Sequence, residues 1–84
     1  VIITADDSLK HKPDPGPLLQ AVEYLGADVS RSIYIGDSRF DILTGRNAGA
    51  RTLGVTWGLA GRKEMVLLQP DGIIDRWEEL KAYI

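Results

Sequence analysis

Eighty-four residues make one small domain at most, with a modest core unless a partner completes it. A net charge of −2 and a pI near 5.2 lack the basic footprint of a protein that binds nucleic acid or anionic membranes, so neither partner is expected. Without cysteine, disulfides and thiolate metal sites are excluded, and no apolar run is long enough for a signal peptide or a membrane span. Apolar and charged contents of 44% and 26% suit a soluble, cytoplasmic globular chain. The sequence opens at Val1 inside a strand pattern with no initiator Met, which leads us to expect a piece of something larger.

Val1-Ile2-Ile3-Thr4 is β-branched and continuous, as for a strand buried on both faces. Residues 5–10 are polar and read as a loop over the sheet edge. In His11-Lys12-Pro13-Asp14-Pro15-Gly16-Pro17, the prolines remove backbone donors and favour extended or turn geometry. Pro17 is compatible with the first turn of a helix. Leu18, Leu19, Val22 and Leu25 then repeat with helical spacing, and Gly26 is a C-terminal stop.

Ser32-Ile33-Tyr34-Ile35 predicts a second strand, ending in Gly36 and Asp37. A helix is predicted over 40–48, with Phe40, Leu43 and Ala48 on one face, Ile42 at its margin and Gly49 at its end. Thr52-Leu53-Gly54-Val55-Thr56 predicts a third strand, closed by Trp57-Gly58. A short helix over 63–68, a turn at Pro70-Asp71-Gly72 and a minimal edge strand Ile73-Ile74 follow. A last helix over 77–84 turns Leu80 and Tyr83 inward. This alternation argues for an α/β fold, a parallel sheet with helices on its faces. The chain shows no repeat, linker or low-complexity tract.

The stretch richest in chemistry is Gly36-Asp37-Ser38-Arg39-Phe40-Asp41. A strand ending in Gly-Asp and turning into a helix puts a carboxylate at the carboxyl edge of a sheet, where open α/β sheets bind ligands. Asp41 follows one helical turn later and points back toward the same mouth. Two converging carboxylates repel, and a hard divalent cation, Mg²⁺ above all, would neutralise them. The same residues also read as a capping box, with Ser38 as N-cap and Asp41 reaching back, which the helix macrodipole favours without any metal. Both readings stand on these residues alone. Lys12 leaves the first strand toward the same edge, held by Pro13, and a lysine there can hold an anionic group such as phosphate. A loop lysine is ordinarily a solvated charge, as His11 is an ordinary exposed histidine.

Lys12-Pro13-Asp14-Pro15, followed after one amphipathic helix by Gly36-Asp37-Ser38-Arg39-Phe40-Asp41, resembles the third and fourth motifs of the haloacid dehalogenase superfamily. Asn47-Ala48-Gly49-Ala50, the strand ending Val55-Thr56-Trp57-Gly58, and Pro70-Asp71-Gly72-Ile73-Ile74 resemble its phosphoglycolate phosphatase-like branch. The resemblance runs through essentially the whole chain in order. It implies a Rossmann-like three-layer α/β/α core and a Mg²⁺-dependent hydrolase that cleaves small phosphate monoesters through an aspartyl-phosphate. By that resemblance Lys12 stabilises the phosphoryl oxygens and the nucleophile, Asp37 and Asp41 hold Mg²⁺ directly or through water, and backbone around Ser38 shapes the phosphate site.

The departures limit this expectation. The family's D-x-D-G-T motif, with its nucleophile and general acid, is absent, and Asp6-Asp7 lack the following Gly-Thr. Thr4 ends a strand as the second motif's hydroxyl residue does, but it lies too close to Lys12 for that arrangement. In the family's sheet order, 5-4-1-2-3, residues 1–4 resemble strand 3, whereas 33–35 and 52–56 resemble strands 4 and 5. Strands 1 and 2 would lie between, leaving unpaired apolar edges here. Residues 1–84 are therefore expected to be the C-terminal part of a core domain, lacking an N-terminal half and a cap domain and acting on a small phosphorylated metabolite. The competing expectation is a complete, non-catalytic binding or assembly module with a half-fold. A receiver-like phosphate-binding domain is weaker, because the acidic pocket from an early strand is not seen.

Overall fold

The computed structural model describes residues 1–4 and 14–84. Its elements are β1 (Ile2–Thr4), α1 (Gly16–Tyr24), a 3₁₀ turn (Val29–Arg31), β2 (Ile33–Gly36), α2 (Arg39–Ala48), β3 (Arg51–Val55), α3 (Gly61–Leu68), β4 (Gly72–Ile74) and a 3₁₀ helix (Trp77–Tyr83). The four strands form one parallel sheet in the order β1-β2-β3-β4. When strand order follows chain order, crossovers of the usual right hand all lie on one face. That is where α1, α2 and α3 pack.

Strand alternation assigns the two faces. Tyr34 points toward the helices and meets Leu18, Val22, Ala48 and Ala50. Ile33, Ile35, Leu53, Val55 and Ile74 form the other face, covered by Leu80 and Tyr83 of the 3₁₀ helix. The predicted inward pair is thus in place, and the third layer is a seven-residue 3₁₀ helix rather than an α-helix. All four residues of β2 are buried. A strand covered on both faces positions whatever follows it with little freedom, and Asp37 follows it.

Two sequence expectations are corrected. β1 is exposed at Ile2 and Thr4, as is Val1 before it, rather than buried on both faces. It also pairs directly with β2, Ile2 opposite Ile33, where unpaired strand edges were expected because the family's strands 1 and 2 are not in this chain. The backbone of a wholly buried strand needs hydrogen-bond partners along both edges, and β1 supplies one side, starting with the Ile33 N–H donated to the Val1 carbonyl at 2.8 Å.

The buried face of α2 is also not the expected one. Asp41, Ile42, Thr44, Gly45 and Ala48 face the sheet; Ile42 is 0% exposed and Phe40 42%. A stripe made mostly of small and polar residues carries no apolar periodicity, so counting large apolar side chains chose the wrong side. The helix ends where expected, on Gly49, whose φ of +86° is the left-handed conformation that glycine adopts without steric cost. In α1, Leu18 and Val22 are buried while Leu19 and Leu25 are exposed.

Candidate active-site edge

The carboxyl end of β2 runs through Gly36 into the N-terminus of α2, and the capping box read from the sequence is present. The Ser38 hydroxyl accepts the Asp41 N–H at 3.3 Å. Asp41 returns the bond twice: its Oδ2 accepts the N–H of Asp37 at 3.0 Å and of Ser38 at 3.2 Å. Asp41 is 2% exposed and lies against the start of the loop. The room for it comes from Gly36, where a Cβ would fall inside the Asp41 side chain.

Asp37 has a different environment. It is half-buried and lines a cleft of about 270 Å³ with Thr4, Ile35, Gly36, Val55 and Trp77. Its Oδ2 accepts the Leu59 N–H at 3.1 Å, and its carbonyl accepts the Ala60 N–H at 2.8 Å. The β3–α3 connection is thereby tied to Asp37 at two points. Gly58, just before them, packs so closely that a Cβ there would overlap the Asp37 carboxylate. The close approach that Gly58 permits is to Asp37. The backbone N–H groups around both carboxylates offset part of their repulsion.

The rim is aromatic. Trp57 and Trp77, both about half exposed, pack in a tilted arrangement with ring centroids 5.0 Å apart and planes at 59°. Arg39 lies on the surface over Phe40, its guanidinium carbon 5.3 Å from the ring centroid. A second depression, of about 260 Å³, is lined by Ser38, Arg39, Phe40, Leu59, Ala60 and Glu64. Farther along the edge, the Thr56 hydroxyl donates to Asp75 at 2.7 Å and Arg62 donates to both Asp75 oxygens. The Thr56 hydrogen bond foremost, with the Arg62 charge, holds the Asp75 carboxyl below its ordinary value of 3.8.

The structure therefore brings Asp37, Ser38 and Asp41 together. Lys12, with Asp6, Asp7 and His11, lies outside the described residues. Among the described residues no cluster of three or more His, Cys, Asp or Glu side chains could hold a metal by itself. Mg²⁺, however, keeps several waters and is ordinarily bound through one or two carboxylates plus substrate phosphate oxygens. A half-buried carboxylate with one oxygen tied back to backbone, and its other oxygen without a hydrogen bond among the described residues, fits such a partial donor set. The contribution of Leu59 and Ala60 left no trace in the sequence, because backbone N–H donors are the same for every residue but proline.

A parallel α/β sheet with a Gly-Asp turn at its carboxyl edge and a second aspartate in the next helical turn places two carboxylates where open α/β proteins bind their ligands. Residues 1–55 match the haloacid dehalogenase-like hydrolase family, and the chain belongs to it. Among curated relatives, pyrophosphatase PpaX of Bacillus velezensis is 37% identical over 79 residues, which is 94% of this chain and 37% of that protein. The chain thus spans a little over a third of the length of such relatives. Among solved structures, a predicted phosphoglycolate phosphatase from Haemophilus somnus superposes with a TM-score of 0.77 at 26% identity, over 86% of this chain and 32% of its own. A haloacid dehalogenase-like family hydrolase from Streptococcus pneumoniae gives 0.74 at 32%, over 82% and 33%. No helix among the described residues is long and apolar enough to cross a membrane.

Proposed function

We propose that the complete protein containing this chain is a Mg²⁺-dependent phosphohydrolase acting on a small phosphorylated metabolite through an aspartyl-phosphate. The observation that carries the reading is Asp37: a half-buried carboxylate at the carboxyl edge, oriented by backbone on both sides, in a chain of this family. Phosphoryl transfer is mostly positioning and charge neutralisation, and an oriented hard oxygen donor serves both. Bound Mg²⁺ would supply positive charge to the phosphoryl oxygens.

In this reading Asp37 offers its oxygen to the cation directly. Asp41 contributes through the backbone it holds or through a bound water. Ser38 presents backbone at the N-terminus of α2, where partial positive charge favours phosphate. Lys12 would pair with the phosphoryl oxygens. The nucleophilic aspartate and a cap would come from outside the 84 residues, and the cytoplasm is the expected location. Two substrates compete: phosphoglycolate, from the branch that the sequence resembles, and pyrophosphate, from the name of the PpaX relatives. Parallel assays of phosphate release from each decide between them.

Asp37→Asn in the complete protein tests the assignment. Turnover should fall on the order of a thousandfold, as when a preorganised charge-stabilising group is removed. Mg²⁺ affinity should weaken with it, and unchanged turnover would sink the reading.

The alternative of a non-catalytic binding or assembly module is favoured by one observation: β1 closes the edge of β2, so the 84 residues form a continuous four-stranded sheet. Size exclusion and a thermal melt of the 84-residue chain separate the two. A cooperative monomer supports the module, and aggregation supports the phosphohydrolase part.

A further inference from the structure

The β3–α3 connection has no assigned role, yet it touches Asp37 three ways. Leu59 donates its N–H to the carboxylate, Ala60 donates to the main-chain carbonyl, and Gly58 leaves the space the carboxylate occupies. We propose that residues 58–60 are positioning residues that aim Asp37 at its cation. The inference rests on the reading of Asp37 as a metal ligand.

A carboxylate on a two-bond side chain has free rotation at χ1 and a broad, two-fold torsion at χ2. Asp41 fixes the backbone of Asp37 from below, through the Asp37 N–H. It does not fix the side chain. The Leu59 N–H does, by holding Oδ2, which leaves Oδ1 without a hydrogen bond among the described residues. The Ala60 bond keeps the connection from drifting away from that contact. Gly58 makes the approach possible, because any larger residue would push the carboxylate aside. Asp37 is thus gripped by two separate segments, the first turn of α2 and the connection before α3. Hydrogen-bond partners of metal ligands typically change affinity by about 10- to 100-fold when removed.

The test uses the complete protein and Mg²⁺ alone, followed by isothermal titration calorimetry. Gly58→Ala introduces the clashing Cβ. Leu59→Pro deletes the N–H at an exposed residue of the connection. Each should raise the Mg²⁺ Kd by about 10- to 100-fold. In turnover, the Mg²⁺ concentration for half-maximal rate should rise by a similar factor, with kcat at saturating Mg²⁺ largely recovered. A general structural defect would lower kcat at every Mg²⁺ concentration, and that pattern counts against the proposal. Asp37→Asn is measured alongside. If it binds Mg²⁺ like the unmodified protein, the metal reading itself fails. If it loses Mg²⁺ while a folded Gly58→Ala or Leu59→Pro protein keeps its Kd within about twofold, the positioning role alone is overturned. Should the alanine variant fail to fold, the proline variant decides.

Discussion

The two edges of the sheet use aspartate in opposite ways. At the amino edge, Asp71 Oδ2 accepts the Thr52 N–H at 2.7 Å and the Thr52 hydroxyl at 3.2 Å, while the Asp71 N–H donates back to that hydroxyl. Close by, Arg46 donates to the carbonyls of Leu68 and Gln69 and so satisfies the C-terminus of α3. A cleft of about 230 Å³ lies there, lined by Arg46, Thr52, Gln69 and Asp71 among others, and three of those polar side chains hold the chain together. At the carboxyl edge, the Asp37 carboxylate accepts a single N–H, on one oxygen, among the described residues, and it faces a cleft of similar size. Cleft volume does not distinguish the edges. The difference is whether the carboxylate retains bonding capacity after the fold has used it.

That contrast can be broken from either side. The largest expected effect on stability is Gly36→Ala, which drives a Cβ into the buried Asp41 and should cost about 3 kcal/mol in chemical denaturation. A cost below ~1 kcal/mol would mean that the loop relaxes easily and that its geometry is less constrained than the packing indicates. Asp41→Ala comes next. It orphans two backbone N–H groups and the return half of the capping box, for a loss of about 2 kcal/mol. Asp71→Ala should cost about 1 kcal/mol and leave turnover of the complete protein unchanged, because its bonds are structural only. Lost turnover in a stable Asp71→Ala protein would erase the distinction between the edges.

The smallest effect concerns Asp75. Its pKa is depressed in the folded state, so its contribution is fully present above its ordinary value of 3.8 and disappears as pH falls through the lower folded value. Asp75→Asn should therefore lower the melting temperature at neutral pH, where the contribution is fully present, and only slightly because the group is exposed. The difference between the two proteins should close at pH values below 3.8, as followed by thermal melts across an acid series.

Strand identity and order along the chain were legible in the sequence because short β-branched runs and helical repeats alternate with clear stops at Gly26, Gly49 and Pro70-Asp71-Gly72. The capping box at Ser38 and Asp41 was legible for the same reason: it is written in side chains. The buried face of α2 was not, because Asp41, Thr44 and Gly45 face the sheet for reasons of size and hydrogen bonding. The partner of β1 was not, since pairing between strands far apart in sequence leaves no local mark. The grip of Leu59 and Ala60 on Asp37 was hidden most completely. Gly58 was its one visible sign, and a glycine's neighbour cannot be read from the glycine.

The exposure of β1 has a consequence for how the molecule opens. Its three residues hang on β2 by one edge, with Ile2 40% exposed, whereas Ile35 and Leu53 beside and beyond it are at 3% and 1%. Local fluctuations should release this strand long before they reach β2 or β3. Amide exchange would then follow a gradient across the sheet, fastest at Ile3 and slowest at Leu53. Asp37 follows β2, on the slow side of that gradient, so it stays anchored through motions that peel the first strand away.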